Sequence, residues 1–535
     1  MSTLSEQPAV LDNGMANGSM AALFSLQAQR FPKKQAIWCE GEALTYRELA
    51  QLTYRWSHAM RHNGVERGDR IAVLLPNSID FVALMLAATD LGIVLAPLSP
   101  SLTPSAFYRA CQAAQVKHLV STANLIDGLL ASASSGAAHS TELRSLVGGL
   151  WISVDEARNG VTCLSNLLMP CEPALQPVGS GRPDDAFILT MTSGSTGDPK
   201  PIILTQATKL NRAIAAIELY GVTENDKTLA ATPLYHSLAE RLVLIPLLTG
   251  GTSVLMRTFS VSKWLQCISQ EQVTFTIAVS SQLKQIAGSE ELSSHPVKLD
   301  SLRAVVSSSA LLEHDIKTEL LKKFNCDFHE CYGASEIAIA SNLSMTGVGK
   351  LKSVGTAAPG VDIKILGKND QVLGPGEAGE IVCKTPMLFG GYFNRPDLTK
   401  AAMWNGYFRT GDTGKLDEDG YLYFLGRNKD IIISGGINIY PPDIESVVNE
   451  FPSIVECAAF AFPDARLGEV IALALVVENP ATFDLRQLRF HCCDRLADFQ
   501  QPRKFFTIEA LPRNEMGKVM KFQLANMFSV QNPKN

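Results

Sequence analysis

The sequence predicts an α/β fold: a large N-terminal domain of mostly parallel sheets with flanking helices, followed by a small α+β domain. Two observations carry this expectation. Short apolar runs alternate with helix-period segments through most of the chain, the texture of strands joined by helical crossovers. Beyond Asp430 the texture changes to a helix start, two longer strand-like runs and another helix. A length of 535 residues suits more than one domain.

Ile71 to Leu75 reads as a buried strand, and Phe81 to Thr89 as the helix after it. Phe187 to Thr190 is a second strand, running into a glycine-rich loop, and Leu302 to Val306 a third. Pro441-Pro442 before Asp443-Ile444-Glu445 marks a stop and a helix start, because proline fits the first helical turn. Cys457 to Phe462 and Val470 to Val477 read as strands, and Leu485 to Leu496 as a helix. The domain boundary is expected between Gly426 and Lys429, and the Ala/Ser-rich segment Ala131 to Ser145 as a surface stretch. No fixed-period repeat is present.

The formal net charge is −6 and no long Lys/Arg run occurs, so neither nucleic acid nor an anionic membrane is an expected partner. The charge-free stretch Leu91 to Tyr108 is broken by Pro97, Pro100 and Pro104, which makes it a poor membrane span. Residues 1–19 are polar and small, without a basic start and apolar core. They are expected to be a disordered lead and no secretory signal. The 11 cysteines are scattered, Cys492 and Cys493 are adjacent, and no C-x-x-C spacing occurs. Reduced thiols in a cytoplasmic protein are expected, not disulfides or structural zinc.

The sharpest chemical signal is Thr192-Ser193-Gly194-Ser195-Thr196-Gly197-Asp198-Pro199-Lys200, directly after a strand. Two glycines permit tight backbone geometry, so consecutive N–H groups can face one anion. The hydroxyls and Lys200 add donors and positive charge suited to a polyphosphate. It is not a Walker A loop, since Pro199 precedes the lysine and no Ser or Thr follows it. The competing reading is a flexible Ser/Gly turn.

This segment resembles the phosphate loop of the ANL superfamily, which comprises acyl-CoA synthetases, peptide-synthetase adenylation domains and firefly-type luciferases. Four further segments resemble the family's signatures, in its order. They are Tyr332-Gly333-Ala334-Ser335-Glu336, Tyr407 to Asp412, Gly426-Arg427-Asn428-Lys429-Asp430, and Leu511 to Lys518. The resemblance implies an AMP-binding (adenylation) domain over 20–427 and a mobile C-terminal domain over 428–535, with a hinge at Lys429. It implies activation of a fatty or aromatic carboxylic acid by ATP and Mg²⁺, then transfer to a thiol.

Residue by residue, the resemblance makes Lys518 the adenylation lysine; a positioned cation there offsets charge built up as a carboxylate attacks the α-phosphate. Glu336 becomes a magnesium ligand with the Thr196 hydroxyl, a mode that suits an oxygen-seeking ion using few carboxylates and substrate phosphates. Ser335 contacts the α-phosphate, Gly333 and the flat ring of Tyr332 face adenine, Asp412 takes the ribose hydroxyls and Arg427 the phosphate or ribose oxygens. Gly436 leaves room for a pantetheine arm. Thr232-Pro233-Leu234-Tyr235-His236-Ser237 resembles the acyl-pocket segment and sets His236 near the carboxylate; the plainer reading is a satisfied core histidine. Ser237 stands where α-amino-acid enzymes carry Asp, which argues against an amino-acid substrate. Solvated acids or surface ion pairs are the plain alternatives for Glu336, Asp412 and Arg427. Asp417, Glu418 and Asp419 read as a charged hairpin turn closing at Gly420.

Two departures from the family pattern stand out. Ser307-Ser308-Ser309-Ala310-Leu311 stands where the family commonly has a glycine-rich run, so the serines are expected to narrow or polarise the wall that adenine and the acyl group approach, with Ser309 and Ala310 carried as nucleotide contacts. Pro201 follows Lys200 where Gly is usual, biasing Lys200 to an extended backbone. Four readings remain: a CoA ligase, an enzyme loading a carrier-protein phosphopantetheine, a luciferase-like oxidase of the adenylate, and a non-catalytic nucleotide-binding module. Retention of Lys518, Glu336 and Asp412 argues against the last.

Overall fold

Burial on both faces explains the unbroken apolar runs. The strand Arg70–Leu74 pairs in parallel with Val94–Pro97 on one side and His118–Ser121 on the other, and parallel strands covered by helices show no polar alternation. The structure is a computed structural model. It describes residues 19–131, 138–168, 177–193, 199–294, 299–312, 314–345, 349–434, 437–464, 466–514 and 517–530. All of the expected lead except Ser19 lies outside them; Ser19 immediately precedes the helix Met20–Arg30.

The described residues form four sheets. A seven-stranded sheet runs in the order Thr162–Cys163, Trp151–Ser153, His118–Ser121, Arg70–Leu74, Val94–Pro97, Ala186–Ser193 and Pro199–Thr205. Only its last pairing is antiparallel. A nine-stranded sheet has a parallel centre running from Asp327–Tyr332 through Ala304–Ser308, Phe275–Val279, Lys227–Ala230 and Thr252–Leu255 to Gln35–Cys39. The third sheet, over residues 362–427, is entirely antiparallel. The parallel expectation holds for the two large sheets, and the third was not legible. Its strand Tyr407–Leu416 mixes Arg409, Asp412 and Lys415 with apolar residues, so no clean period of two emerges.

Val73 and Phe187 of the first sheet, Ile277 and Val306 of the second and Ile365, Ile381 and Leu422 of the third belong to one buried cluster. The fourth sheet, formed by Ile432–Ser434, Ile437–Ile439, Ile454–Asp464, Gly468–Val477 and Lys504–Thr507, has its own. A separate core is the physical mark of a second domain. The helix Pro441–Asn449 opens on its proline pair, and the strands and helix expected after it occur at Ile454–Asp464, Gly468–Val477 and Leu485–Arg495.

Two expectations need correction. The strand placed at Leu302 starts at Ala304, because Leu302 closes a turn on the Leu299 carbonyl. The surface stretch Ala131 to Ser145 contains the helix Ala138–Leu146, while 132–137 lie outside the described residues.

One buried ion pair anchors the strand Asp327–Tyr332. Lys317 and Glu330 are each almost fully buried and form an ion pair with one another. Lys317 also donates to the Leu351 carbonyl (2.7 Å), and Glu330 accepts from the Leu312 amide (3.0 Å). Removing one partner of such a pair strands a charge in low dielectric. Lys317→Met should therefore destabilise the protein by about 3–5 kcal/mol in urea-induced unfolding. Lys317→Met combined with Glu330→Leu should recover part of that loss. Equal stability of the single variant and the wild type would show that the pair is not the anchor.

Candidate active site

The Thr192 to Lys200 loop joins antiparallel strands, with Thr192 opposite Lys200 and Ser193 opposite Pro199. Lys200 is extended within Pro199–Thr205, as Pro201 after it requires. Gly194, Ser195, Thr196 and Gly197 lie outside the described residues, as do the side chains of Thr192 and Ser193. Gly436 also lies outside; its neighbours Ile432–Ser434 and Ile437–Ile439 are antiparallel strands.

Tyr332 ends its strand with a buried ring, packed against Phe424 at a centroid distance of 5.8 Å. Its hydroxyl donates to Asp412 Oδ2 at 2.8 Å. Asp412 lies opposite Arg427 in the antiparallel register, and Arg427 Nε stands 3.5 Å from Oδ1. That oxygen is buried and accepts no hydrogen bond from any described residue. Burial pushes the Asp412 carboxyl up, against the opposing pull of Arg427, Tyr332 and Lys518. Burial likewise pushes the Tyr332 phenol up, with the Asp412 charge beside it. A carboxylate held this way can accept a pair of hydroxyls.

Gly333 makes the turn after Tyr332 possible. A Cβ there would lie 1.7 Å from the Ala338 carbonyl oxygen, a collision no side chain tolerates. The tight path leaves Ser335 exposed and Glu336 half-buried. The Glu336 carbonyl accepts from Arg212 Nη2 (2.9 Å) and the Phe389 amide (2.7 Å), and its carboxylate accepts from Tyr392 Oη (3.1 Å).

Ser307 is fully buried, with Oγ 3.3 Å from Ser280 Oγ. Ser308 is half-buried, and Ser309 and Ala310 are exposed. Ser309 has φ of 78°, the left-handed region that costs a non-glycine residue about 1–2 kcal/mol. Ser280 Oγ helps to hold this strained corner by donating to the Ala310 carbonyl. His236 immediately precedes the helix Ser237–Thr249, its ring 4.7 Å from that of Tyr235.

The small domain reaches this site through the Arg513 to Val519 hairpin. Asn514 and Lys518 exchange two bonds of 2.9 Å, Lys518 N to Asn514 Oδ1 and Asn514 N to Lys518 O. Gly517 has φ of 73°, and a Cβ on it would lie 2.3 Å from Ser281 Oγ in the large domain. The hairpin thus touches the large domain, with the Lys518 charge acting on Asp412.

Asp412, Tyr332 and Arg427, distant in sequence, are therefore brought together, with the charge of Lys518 felt at Asp412. Sequence reasoning missed three side chains that shape the surroundings. Asn77 is buried and bonds Thr232 O (2.9 Å), Met256 O (2.8 Å) and the Leu234 amide (2.7 Å), pinning the His236 segment. Arg212 and Tyr392 grip Glu336. None of the three sits in a recognised motif; a polar Asn77 directly after an apolar strand and Pro76 was the one available signal.

The description "AMP-binding enzyme" matches residues 24–393, and "AMP-binding enzyme C-terminal domain" matches 443–518. The chain is 31% identical over 499 residues to the long-chain-fatty-acid–CoA ligase FadD13 of Mycobacterium tuberculosis, covering 92% of this chain and 94% of that one. It is 30% identical over 503 residues to the 2-succinylbenzoate–CoA ligase of Bacillus subtilis, covering 93% and 96%. Among solved structures, ATP-bound MatB from Rhodopseudomonas palustris superimposes with a TM-score of 0.83 at 27% identity, covering 95% of this chain and 99% of that one. With both domain descriptions matched in order and the adenylating enzymes as its structural neighbours, the chain belongs to the AMP-binding enzyme family of the ANL superfamily.

Proposed function

We propose that this enzyme is an AMP-forming acid–thiol ligase that activates a fatty or aromatic carboxylic acid and passes it to CoA, in the cytoplasm. The observation that carries the reading is the buried Tyr332–Asp412–Arg427 cluster of the large domain, with the hairpin that carries Lys518 meeting the same domain at Gly517 against Ser281. The relatives named as fatty-acid and 2-succinylbenzoate CoA ligases support the same assignment, and the described cysteines, all free thiols, fit the compartment.

The chemistry follows from the groups. Asp412 accepts the ribose hydroxyls and Tyr332, with Gly333, Ser309 and Ala310, borders the adenine. Arg427 neutralises phosphate or ribose oxygens. Thr192 to Lys200 wraps the β- and γ-phosphates with backbone N–H groups, hydroxyls and the lysine charge. The substrate carboxylate, set near His236, attacks the α-phosphorus; the bond to pyrophosphate breaks as the acyl–AMP bond forms. Lys518 offsets the charge that builds on the α-phosphate, with Ser335 as a further contact. No cluster of three metal-ligating side chains occurs among the described residues. The single carboxylate Glu336 fits Mg²⁺, which takes one or two carboxylates plus substrate phosphates. Glu336 and Thr196 would hold the ion, which supplies charge neutralisation to the phosphates. The thiol of CoA then attacks the acyl carbon past Gly436 and releases AMP. A carrier-protein phosphopantetheine presents the same thiol and is the second acceptor to be tested.

The step from residues 20–427 to 428–535 is assigned as the domain division, with Lys429 as hinge. A short 3₁₀ turn, Asn428–Asp430, stands there between the strands Leu422–Arg427 and Ile432–Ser434. A hinge absorbs rotation in a few backbone torsions.

Lys518→Ala should lower pyrophosphate release by orders of magnitude while ATP still binds. Thioester formation from supplied acyl-AMP should be nearly retained. Undiminished pyrophosphate release over fatty and aromatic acids would sink the assignment.

Asp412→Asn should separate binding from stability. A carboxyl raised in the fold lowers stability as pH rises from the unfolded carboxylate range through its folded value, and the penalty persists above it. Removing the charge should raise the Tm of the ligand-free protein at neutral pH, with the difference vanishing in acid. ATP affinity should fall roughly tenfold or more, as for a lost charged hydrogen bond. A lower Tm together with unchanged ATP affinity would contradict both roles.

Lys429→Pro should favour one domain orientation, because proline fixes φ and removes a donor. Single-turnover assays with CoA and with a carrier protein should find acyl-AMP accumulating while thioester transfer fails. Equal retention of both steps would remove the hinge.

A further inference from the structure

Glu336 is held more completely than a loop acid needs. Its backbone carbonyl accepts two hydrogen bonds, from Arg212 Nη2 at 2.9 Å and Phe389 N at 2.7 Å. Arg212 is almost wholly buried and spends Nε on the Met387 carbonyl at 3.0 Å. One guanidinium thus staples the Glu336 turn to the segment beginning at Met387. Burial pulls the Arg212 pKa down to about 9, leaving it charged at neutral pH.

The same segment supplies Tyr392, whose hydroxyl lies 3.1 Å from Glu336 Oε1. Tyr392 is itself fixed on three sides. Its amide donates to Thr399 Oγ1 at 2.9 Å, its ring meets Phe389 edge-on at 5.0 Å, and its backbone bridges Ile202. Ile202 belongs to Pro199–Thr205, the strand that leaves the phosphate loop. The Tyr392 side chain therefore joins the strand behind that loop to the carboxylate of Glu336.

A glutamate side chain has three rotatable bonds, and ordering a long flexible side chain costs up to about 1.5–2 kcal/mol. With the backbone fixed at the carbonyl, the bond from Tyr392 to Oε1 restricts that freedom before any ligand arrives and leaves Oε2 for a cation. We propose that Tyr392 is a positioning residue for Glu336, holding one carboxylate oxygen so that the other meets the Mg²⁺ of the nucleotide complex. This rests on the reading of Glu336 as a metal ligand, and the test keeps the two apart.

Tyr392→Phe deletes one hydroxyl and leaves the ring packing in place. It is compared with wild type, Glu336→Gln and the double variant, all in the full-length protein. Binding of Mn²⁺ in the ternary complex with α,β-methylene-ATP is followed by EPR, alongside the Mg²⁺ dependence of pyrophosphate release. Thermal unfolding serves as the control for the fold. Tyr392→Phe should weaken Mn²⁺ about tenfold, the scale for loss of an outer-shell partner of a metal ligand. High Mg²⁺ should restore most of its kcat, but not that of Glu336→Gln. The double variant should bind Mn²⁺ no worse than Glu336→Gln alone, because the hydroxyl acts through that carboxylate. Wild-type Mn²⁺ affinity in Tyr392→Phe with weakened affinity in Glu336→Gln overturns the positioning role and leaves the ligand role intact. Wild-type affinity in Glu336→Gln overturns both. Additive losses in the double variant place the effect of Tyr392 elsewhere and overturn the proposal.

Discussion

The hydrogen bond of 2.8 Å from the Tyr332 hydroxyl to Asp412 Oδ2 joins the end of a central parallel strand to the middle of an antiparallel one. Each partner is buried, and neither would be tolerated there alone. An unpaired phenol would leave its donor unsatisfied, and an isolated carboxylate would lose its hydration without return. Together with Arg427 in register across the strand pair, they let the nine-stranded sheet and the third sheet meet at a polar seam. Phe424 closes the seam by packing on the Tyr332 ring. The groups proposed to meet the ribose and the adenine ring, Asp412 and Tyr332, are built into this seam, and Asp412 there feels the charge of Lys518.

The elements with unbroken apolar runs were legible. The Phe81 to Thr89 helix and residues 470–475 of the strand Gly468–Val477 are buried throughout, so hydrophobicity alone marks them. The charged turn at Asp417 to Gly420 was legible too, and its acids pair with Lys350 as surface groups do. The third sheet was not, because its strands carry Arg409, Asp412 and Lys415 on positions that hydrogen bonding and the seam decide. Arg212 and Tyr392 were invisible for a related reason. Their value comes from partners more than 50 residues away, at |i−j| of 124 and 56, and no local pattern encodes such pairs.

The serine run shows what a departure from pattern means physically. Ser307 turned inward and bonds to Ser280, whereas Ser309 took a positive φ in the exposed corner. The expected polar wall is therefore a strained corner held from behind by Ser280, and its cost is of the size proteins sustain where geometry serves a site. Its companion is the Lys209–Glu240 ion pair, buried between the helices Gln206–Tyr220 and Ser237–Thr249. That pair fixes the helix that follows His236 to the helix that carries Arg212. The His236 segment and the Glu336 turn are thus referred to one rigid pair of helices.

The separate core of the small domain gives the role proposed for Lys518 a physical rationale. A lysine built permanently into the Asp412 seam would settle into a fixed ion pair, its charge spent on the ground state. Catalysis gains only from interactions stronger in the transition state than before it. Lys518 instead rides on a hairpin tied by bonds between Asn514 and Lys518 and from Arg513 to Gly517, with Arg513 also paired to Glu456 of the same domain. The hairpin meets the large domain through Gly517 against Ser281. In the proposed domain rotation this contact would open. The cores around Ile432 and Ala458 remain whole when it does, since neither shares a residue with the cluster around Phe187. On the proposed reading, the domain division and the placement of the lysine serve one end: the cation would be present for attack on the α-phosphate and withdrawn before the thiol enters.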